Sequence, residues 1–98
     1  MRQIVWARSA LDDFETAIAY IAKDNPQAAQ TIAKRLMNSV EKLADIPVGR
    51  IGRVSGTYEK HVPKTPYILA YSLTENTLAI VRVIHERRDW RLEEWPEP

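Results

Sequence analysis

Positively charged side chains form two clusters in this chain, and these clusters are its clearest candidates for chemistry. The first cluster consists of Arg50, Arg53, Lys60 and Lys64, with Glu59 as its single acid. The second cluster consists of Arg82, Arg87, Arg88 and Arg91, partly offset by Glu86 and Asp89. Such clusters bind phosphate groups or an acidic protein surface, and a plain solvated basic face is the alternative.

Two histidines, His61 and His85, are the other groups suited to proton transfer. They are separated along the chain and form no Asp/Glu–His pair at helical spacing, so we expect no metal site. The chain has no cysteine, which excludes disulfides, thiol catalysis and thiolate zinc sites. Its three glycines lie between Gly49 and Gly56, where no helix follows to form a phosphate-binding loop. We therefore expect no cofactor, and we interpret the glycines as forming a bend.

The composition is typical of one small folded domain. Of the 98 residues, 45% are hydrophobic and 28% are charged, which excludes an intrinsically disordered chain. The net charge of +1 gives no overall preference for polyanions. No apolar run approaches the roughly 18 residues of a membrane span, and the N-terminal residues lack a signal-peptide core. We expect a single domain over residues 1–98, located in the cytoplasm and without membrane contact.

The N-terminal part of the chain predicts a strand and a helix. Ile4-Val5-Trp6 has the apolar composition of a strand, with Trp6 expected in the core. Ser9 suits the N-cap of the helix, and Asp12 and Asp13 then fall in the first turn, where the helix dipole favours negative charge. The residues expected on its buried stripe are Leu11, Phe14, Ile18 and Ile21.

A second helix is predicted from about Pro26 to Asp45. Asn25 can end the first helix or cap the second, and Pro26 suits a first helical position. Ile46-Pro47 ends the second helix, because proline disfavours helical geometry in the residue before it. Since the joint is so short, the two helices should fold back as an antiparallel hairpin.

Three strands are predicted after an irregular loop over residues 48–56. They run from Thr57 to Val62, from Tyr67 to Thr74 and from Thr77 to His85, with turns at 63–66 and 75–76. The last strand is apolar on both faces apart from Arg82, which is typical of a central strand. A polar tail occupies about residues 86–98.

This order of elements predicts an α+β fold. We expect a strand, a helical hairpin and a three-stranded antiparallel sheet, with the helices packed on one face of a mainly antiparallel sheet.

Four segments of the sequence, in this order, resemble RelE/ParE toxins, and the resemblance extends from Trp6 to Trp90. The segments are Tyr20 to Pro26 with Ala28-Ala29, Gly49 to Glu59, Pro66 to Tyr71, and Val81 to His85 followed by Trp90. The match is closer to the ParE branch than to the ribonuclease branch of this superfamily.

The resemblance implies a bacterial toxin of a type II toxin–antitoxin system, with a role in plasmid stabilisation or stress. A cognate antitoxin of the ParD or RelB type would neutralise it in a hetero-oligomer by wrapping an amphipathic C-terminal segment along it. The characterised ParE-type toxins inhibit DNA gyrase by protein contact. RelE-type toxins are instead ribosome-dependent mRNA endoribonucleases, and that activity is the alternative.

The residue Ile68 favours gyrase inhibition over RNA cleavage as the predicted activity. Relatives that cut RNA place an arginine at the position that resembles Ile68, and their lysine positions correspond to Glu59 and His61. An aliphatic side chain cannot stabilise the charge that develops on a phosphate under attack. If the chain were a ribonuclease, the remaining phosphate and proton-transfer groups would be Arg82, His85 and Arg88. A homologue that binds an antitoxin but is harmless is a third possibility.

Single residues also have structural interpretations. Arg82 interrupts an apolar strand and needs a partner, either Glu59 or a C-terminal acid, unless it belongs to a binding face. His85 lies where its strand ends and suits a hydrogen-bonding role. Tyr67 and Tyr71 share one sheet face and suit packing. The target-binding candidates are Arg50, Arg53, Arg82, His85, Arg87, Arg88 and Trp90. The antitoxin-binding candidates are Leu11, Phe14, Ile18, Met37, Tyr67 and Tyr71.

Overall fold

A computed structural model describes residues 1–87, which form two helices and five strands. The elements are β1 (Gln3–Trp6), α1 (Arg8–Asp24), α2 (Pro26–Asp45), β2 (Arg50–Ile51), β3 (Tyr58–His61), β4 (Tyr67–Leu73) and β5 (Thr77–His85). Within this part of the chain, neither helix is long and apolar enough to cross a membrane. The predicted α+β class, the two helices and the three long late strands are confirmed.

The strands form one mixed sheet of five, in the order β1-β5-β4-β3-β2. The three late strands are antiparallel, as predicted, but β1 joins the sheet as a parallel neighbour of β5, with Trp6 opposite Ile80. The central position predicted for the last strand is confirmed, because β5 lies between β1 and β4. The prediction of an irregular loop over residues 48–56 was wrong in one respect. Arg50–Ile51 forms the short strand β2, which pairs with Tyr58–Glu59. Two residues are too few to show strand alternation in a sequence.

The start of α1 differs from the prediction. Ala7 is the N-cap and makes no capping hydrogen bond through its side chain, so α1 begins before Ser9, and its first turn contains no acid. Ser9 instead donates its hydroxyl to the carbonyl oxygen of Val81 at 2.9 Å. Asp12 and Asp13 therefore fall one turn later than predicted. A tertiary partner on β5 has replaced the local capping role.

The joint between the helices follows the prediction. The Asn25 side chain accepts a hydrogen bond from the Ala28 backbone amide at 3.0 Å, and Pro26 is the first residue of α2. Proline costs nothing there, because the first helical amide has no partner within the helix. The chain therefore turns between α1 and α2 at a single residue.

Both helices cover one face of the sheet, which we call the helix face. The fully buried residues of α2 here include Leu36 and Val40, which pack with Leu69, Tyr71 and Ile80 of the sheet. Trp6 and Phe14 complete this core with an edge-to-face ring contact, 5.7 Å between centroids. The other side, the outer face, has a smaller buried cluster made of Ile68, Ala70 and Ile84. Because side chains alternate along a strand, neighbours on β4 serve opposite faces.

Candidate functional site

A concave surface of about 630 Å³ lies on the outer face, and we call it the outer-face groove. It brings three of the four cations of the first predicted cluster, Arg50, Arg53 and Lys60, together with Glu59 and His61. The residues that line it are Gly49, Arg50, Arg53, Glu59, Lys60, His61, Ile68 and Glu86. The groove therefore combines residues from β2, β3, β4 and the segment after β5.

An ion-pair network at one end of the groove is centred on Glu59. Arg53 donates to both carboxylate oxygens, with Nε at 2.9 Å and Nη2 at 3.1 Å, and its backbone amide donates at 2.8 Å. The guanidinium of Arg50 lies 3.7 Å from the same carboxylate. The Glu59 side chain is only 3% exposed, so this acid must hold these partners to remain charged.

The network lowers the pKa of Glu59 below its ordinary value. Burial alone would raise this pKa, since it disfavours the charged carboxylate. The hydrogen bonds from the side chain and backbone of Arg53, together with the positive charges of Arg53 and Arg50, outweigh that effect. Glu59 is therefore ionised at neutral pH and neutralises a large part of the arginine charge.

The floor of the groove is aliphatic. Ile68 is only 6% exposed and packs with Ala70 and Ile84. Directly across from Ile68 on β3, His61 Nε2 lies 3.2 Å from a carboxylate oxygen of Glu86, with both side chains about half-exposed. The groove thus combines an aliphatic floor at Ile68 with charged pairs on the residues around it.

The loop before β3 needs glycine to bring β2 into place. A side chain at Gly49 would collide with the Tyr71 hydroxyl and with the backbone oxygen of Glu59. Tyr71 in turn donates its hydroxyl to the Val48 carbonyl oxygen at 3.1 Å. Gly56 has φ 84°, in the left-handed region that favours glycine, and it closes the hairpin between β2 and β3. The interpretation of these glycines as a bend is confirmed.

Arg82 belongs to a different surface from the outer-face groove. Its Nε and Nη2 donate to the two carboxylate oxygens of Asp13 on α1, at 2.7 and 3.0 Å. The backbone amide of Val83 donates to the same carboxylate at 3.0 Å. The prediction that Arg82 forms a structural ion pair is confirmed. The predicted partner was wrong, because the carboxylate belongs to Asp13 on α1, whereas Glu59 pairs with Arg53.

Side chains of α1, including the Asp13 carboxylate, also bond backbone groups of β5 that β1 does not reach. β1 pairs with β5 only as far as Ile80, and the next backbone groups on that side bind side chains of α1. These are the Val81 carbonyl, which accepts from Ser9, and the Val83 amide, which donates to Asp13. The structural role of Asp13 was not predicted from the sequence. The available signal was Arg82 in an apolar strand, which requires a partner but does not identify one 69 residues away.

His85 lies beside Arg82, in a pocket of about 360 Å³ between α1 and β5. Its ring contacts Tyr67 edge-on at 5.4 Å between centroids, and its Nδ1 accepts a hydrogen bond from the Arg87 amide at 3.2 Å. The hydrogen-bonding role predicted for His85 at the strand end is confirmed. Arg82 and His85 are therefore together, but apart from Ile68 and the outer-face groove. Arg88 and Trp90, the other predicted candidates, lie outside the described residues.

The candidate antitoxin contacts differ in accessibility. Leu11 and Met37 are each 40% exposed, whereas Phe14 and Ile18 are partly buried. Tyr67 and Tyr71 are buried in the core, which confirms the packing role predicted for them. Burial also raises the pKa of both phenols, with a smaller contribution from Tyr20 and Tyr58 respectively. Tyr71 is fully buried, so we withdraw it as an antitoxin contact, whereas Tyr67 borders the pocket between α1 and β5 and stays a prediction.

Metal chemistry has no evident site in residues 1–87. No group of three or more histidine, aspartate or glutamate side chains in that range is arranged to hold an ion. The chemistry available in the outer-face groove is therefore that of ion pairs, one histidine–glutamate pair and an aliphatic floor.

Comparison with known proteins gives a consistent set of relatives. The family model described as ParE toxin of type II toxin-antitoxin system, parDE, matches residues 4–90. The chain is 34% identical over 90 residues to toxin Y4kP of Sinorhizobium fredii, covering 91% of this chain and 93% of that protein. It is 35% identical over 89 residues to toxin RelE2 of Caulobacter vibrioides, covering 90% and 99% respectively.

Solved structures share the fold at low sequence identity. A chain of the chromosomal ParDE toxin–antitoxin system of Pseudomonas aeruginosa superposes with a TM-score of 0.79 at 18% identity, over 87% of this chain and 96% of that one. A YafQ variant from Escherichia coli superposes with a TM-score of 0.59 at 19% identity, over 88% and 94% respectively. Two helices on a five-stranded mixed sheet are therefore the common architecture.

Proposed function

Because this chain belongs to the ParE toxin family of type II toxin–antitoxin systems, we propose that it disables DNA gyrase by binding it and does not cut RNA. Membership of the family implies a cognate antitoxin as its partner. The proposal assigns target binding to the outer-face groove, and it locates the toxin in the bacterial cytoplasm, where gyrase works.

The observation that carries this proposal is the aliphatic floor of the groove. Cleavage of RNA by its own 2′-hydroxyl needs a base, a cation on the phosphate and an acid for the leaving oxygen. Ile68 provides none of these at the centre, and Glu59 already neutralises much of the charge on Arg50 and Arg53. The cross-strand neighbour of Ile68 is His61, which is paired with Glu86.

The same features suit contact with a protein. An apolar centre with a polar, partly charged rim is the usual anatomy of a protein–protein interface, and arginine is enriched among its strongest contacts. The Arg50 side chain is 74% exposed, and the neighbouring Ile51 is 84% exposed. Arg50 lines the groove and is the contact we expect to matter most, whereas Ile51 lies opposite Tyr58 on the other face of β2.

Expression of the toxin alone tests the proposal in cells. We expect growth arrest with blocked DNA replication while bulk mRNA stays intact. Arg50→Ala should weaken toxicity and capture of purified gyrase, and Arg50→Glu should weaken both further. Arg8→Glu is the matched control, because its side chain is 90% exposed on α1, away from the groove. Rapid loss of translated mRNA, or unchanged gyrase capture by both groove variants, would overturn the proposal, and absence of arrest on strong expression would favour a harmless homologue.

A ribosome-dependent ribonuclease is the second candidate, and the pairing of His61 with Glu86 favours it. A histidine nitrogen 3.2 Å from a carboxylate oxygen has the geometry of an acid–base pair, and this pair lines the same groove as Arg50. His61→Ala and Glu86→Gln would then abolish toxicity and transcript cleavage together. The gyrase proposal expects both variants to remain toxic, unless they also lose gyrase binding.

A further inference from the structure

A small polar pocket of about 170 Å³ lies between α2 and the turn that joins β3 to β4, and we call it the α2 pocket. The residues that line it are Arg35, Asn38, Ser39, Lys42, Pro63 and Lys64. Three of these described residues are cations and none is an acid. The pocket therefore combines positive charge with the neutral hydrogen-bonding groups of Asn38 and Ser39.

The cations of the α2 pocket have no carboxylate partner among residues 1–87. The ion pairs in that part of the chain involve Arg8, Arg50, Arg53, His61 and Arg82 instead. Glu41 and Asp45, the acids in this part of α2, do not line the pocket. The outer-face groove differs, because Glu59 neutralises its arginines. An anion from another molecule would balance the charge of the α2 pocket.

One cation of the pocket is held in place by the turn. Arg35 donates from Nη1 to the carbonyl oxygen of Lys64 at 3.1 Å, and a guanidinium carries four further N–H groups. The turn itself is fixed by the buried Thr65, whose hydroxyl donates to the carbonyl oxygen of Val62 at 2.9 Å. A cation held in this way loses less entropy when it binds an anion.

Lys64 occupies a backbone position that suits other residue types better. Its φ of 62° is in the left-handed region, which glycine and asparagine adopt more readily than lysine. Neither of those residues carries a charge. The chain therefore has a cation at the border of the pocket although the backbone conformation there disfavours one.

We propose that the α2 pocket binds backbone phosphates of duplex DNA, whatever the base sequence. Arginine, lysine, serine and asparagine are among the side chains that contact DNA phosphates, and such contacts position a protein without reading bases. Arg35 and Lys42 are seven residues apart, so these cations span about 10 Å along α2. That length equals about three steps of 3.4 Å along one DNA strand.

Two other occupants fit the pocket less well. A single-stranded nucleic acid binds largely by stacking its bases on aromatic side chains, and no described residue of the lining is aromatic. An acidic protein surface needs an apolar centre to its contact, and Pro63 is the only apolar side chain among the described residues of the lining.

Lys60 extends the positive charge toward the outer-face groove. A depression of about 220 Å³ adjoins the α2 pocket, sharing Ser39, Lys42 and Pro63 with it, and Lys60 lines this depression. Lys60 also lines the outer-face groove. A duplex bound at the α2 pocket therefore lies close to the proposed target surface, although DNA binding itself does not depend on gyrase being the target.

Binding of the purified toxin to a short fluorescent duplex of mixed sequence tests the inference. The logarithm of the association constant should fall with the logarithm of the salt concentration with a slope of about −3, as expected for three or four phosphate contacts. Lys42→Gln combined with Lys64→Asn should weaken binding about tenfold or more at about 100 mM salt, and the slope should become shallower by about two. Because asparagine suits the backbone at position 64, urea denaturation should show that the variant stays folded.

Lys23→Gln combined with Lys34→Gln is the matched control. It makes the same charge change at exposed positions of α1 and α2 that do not line the pocket, and it should keep most of the DNA affinity. Gyrase capture in the absence of DNA should be unchanged in the Lys42/Lys64 variant, which keeps a failure here separate from a failure of the target proposal.

Three results would overturn the inference. One is wild-type DNA affinity and salt dependence in the Lys42/Lys64 variant, or no salt-dependent binding by the wild type. The second is a loss of affinity in the Lys23/Lys34 control that equals the loss in the Lys42/Lys64 variant. The third is tighter binding of a glutamate-rich peptide, or of single-stranded RNA of the same length, than of the duplex.

Discussion

Glu59 is the residue whose ionisation contributes most clearly to the shape of the outer-face groove. It joins Arg53, in the loop, to β3, and its carboxylate accepts three hydrogen bonds from Arg53 while 3% exposed. Because its pKa is lowered in the folded protein, the folded state gains stability from the ionised form. That gain is fully present above the ordinary value of 4.5 and is lost as the pH falls through the lower folded pKa.

Glu59→Gln should therefore destabilise the protein by about 2 kcal/mol at neutral pH, since it weakens charge-assisted hydrogen bonds. The difference from wild type should shrink as the pH falls below 4.5. Urea denaturation over a pH series measures both effects, with Glu15→Gln on the exposed side of α1 as the control. A difference that stays constant down to the acid limit would contradict this account of Glu59.

Asp13 has the corresponding role on the helix side of β5. We expect Asp13→Asn to lower the free energy of unfolding by about 2 kcal/mol, below the roughly 3–5 kcal/mol typical of a fully buried pair. The reduction reflects partial exposure, 12% for Arg82 and 15% for Asp13. Thermal or urea unfolding measures it. Asp12→Asn, at a carboxylate 65% exposed and 3.8 Å from Arg8, should change stability by less than about 0.5 kcal/mol; equal effects of the two variants would refute the assignment.

At the scale of elements, the hairpin of β2 and β3 depends on the absence of a side chain at Gly49. Gly49→Ala should destabilise the protein by about 1–3 kcal/mol, because the added methyl group has no room beside Tyr71 and the Glu59 backbone. Gly56→Asn is the matched control. Its position has φ 84° and open space around it, and asparagine tolerates that conformation better than most residues. A Gly49 variant as stable as wild type would show that β2 can shift without cost.

The helices and long strands could be predicted because their signals are local. Asn25-Pro26 identifies a helix start from two adjacent residues, and the apolar run in β5 identifies a central strand. β2 and the parallel pairing of β1 could not be predicted in this way. The strand β2 has only two residues. The pairing of β1 depends on its position beside β5, which is more than seventy residues later in the chain. Ser9 illustrates the same limit, because its hydroxyl serves a β5 carbonyl and not its own helix.

At the scale of the whole molecule, the sheet separates groups that the sequence presented together. Arg82 and His85 follow Ile68 by fewer than twenty residues, yet they lie between α1 and β5, whereas Ile68 forms the floor of the outer-face groove. The cations of the first cluster are divided as well. Arg50 and Arg53 surround Glu59, whereas Lys64 borders a separate depression beside α2. The sequence contained the candidate residues, but only the strand pairing assigns each one to a surface.

The outer-face groove combines an aliphatic floor with paired charges around it. This charge balance is the feature on which the proposed contact with the target depends.

The most direct test of a contact-only toxin is to give the purified protein both substrates under the same conditions. We predict that it inhibits DNA supercoiling by purified gyrase and leaves mRNA on translating ribosomes uncut, as read by primer extension. Discrete cleavage of the ribosome-bound transcript together with unimpaired supercoiling would contradict the central claim.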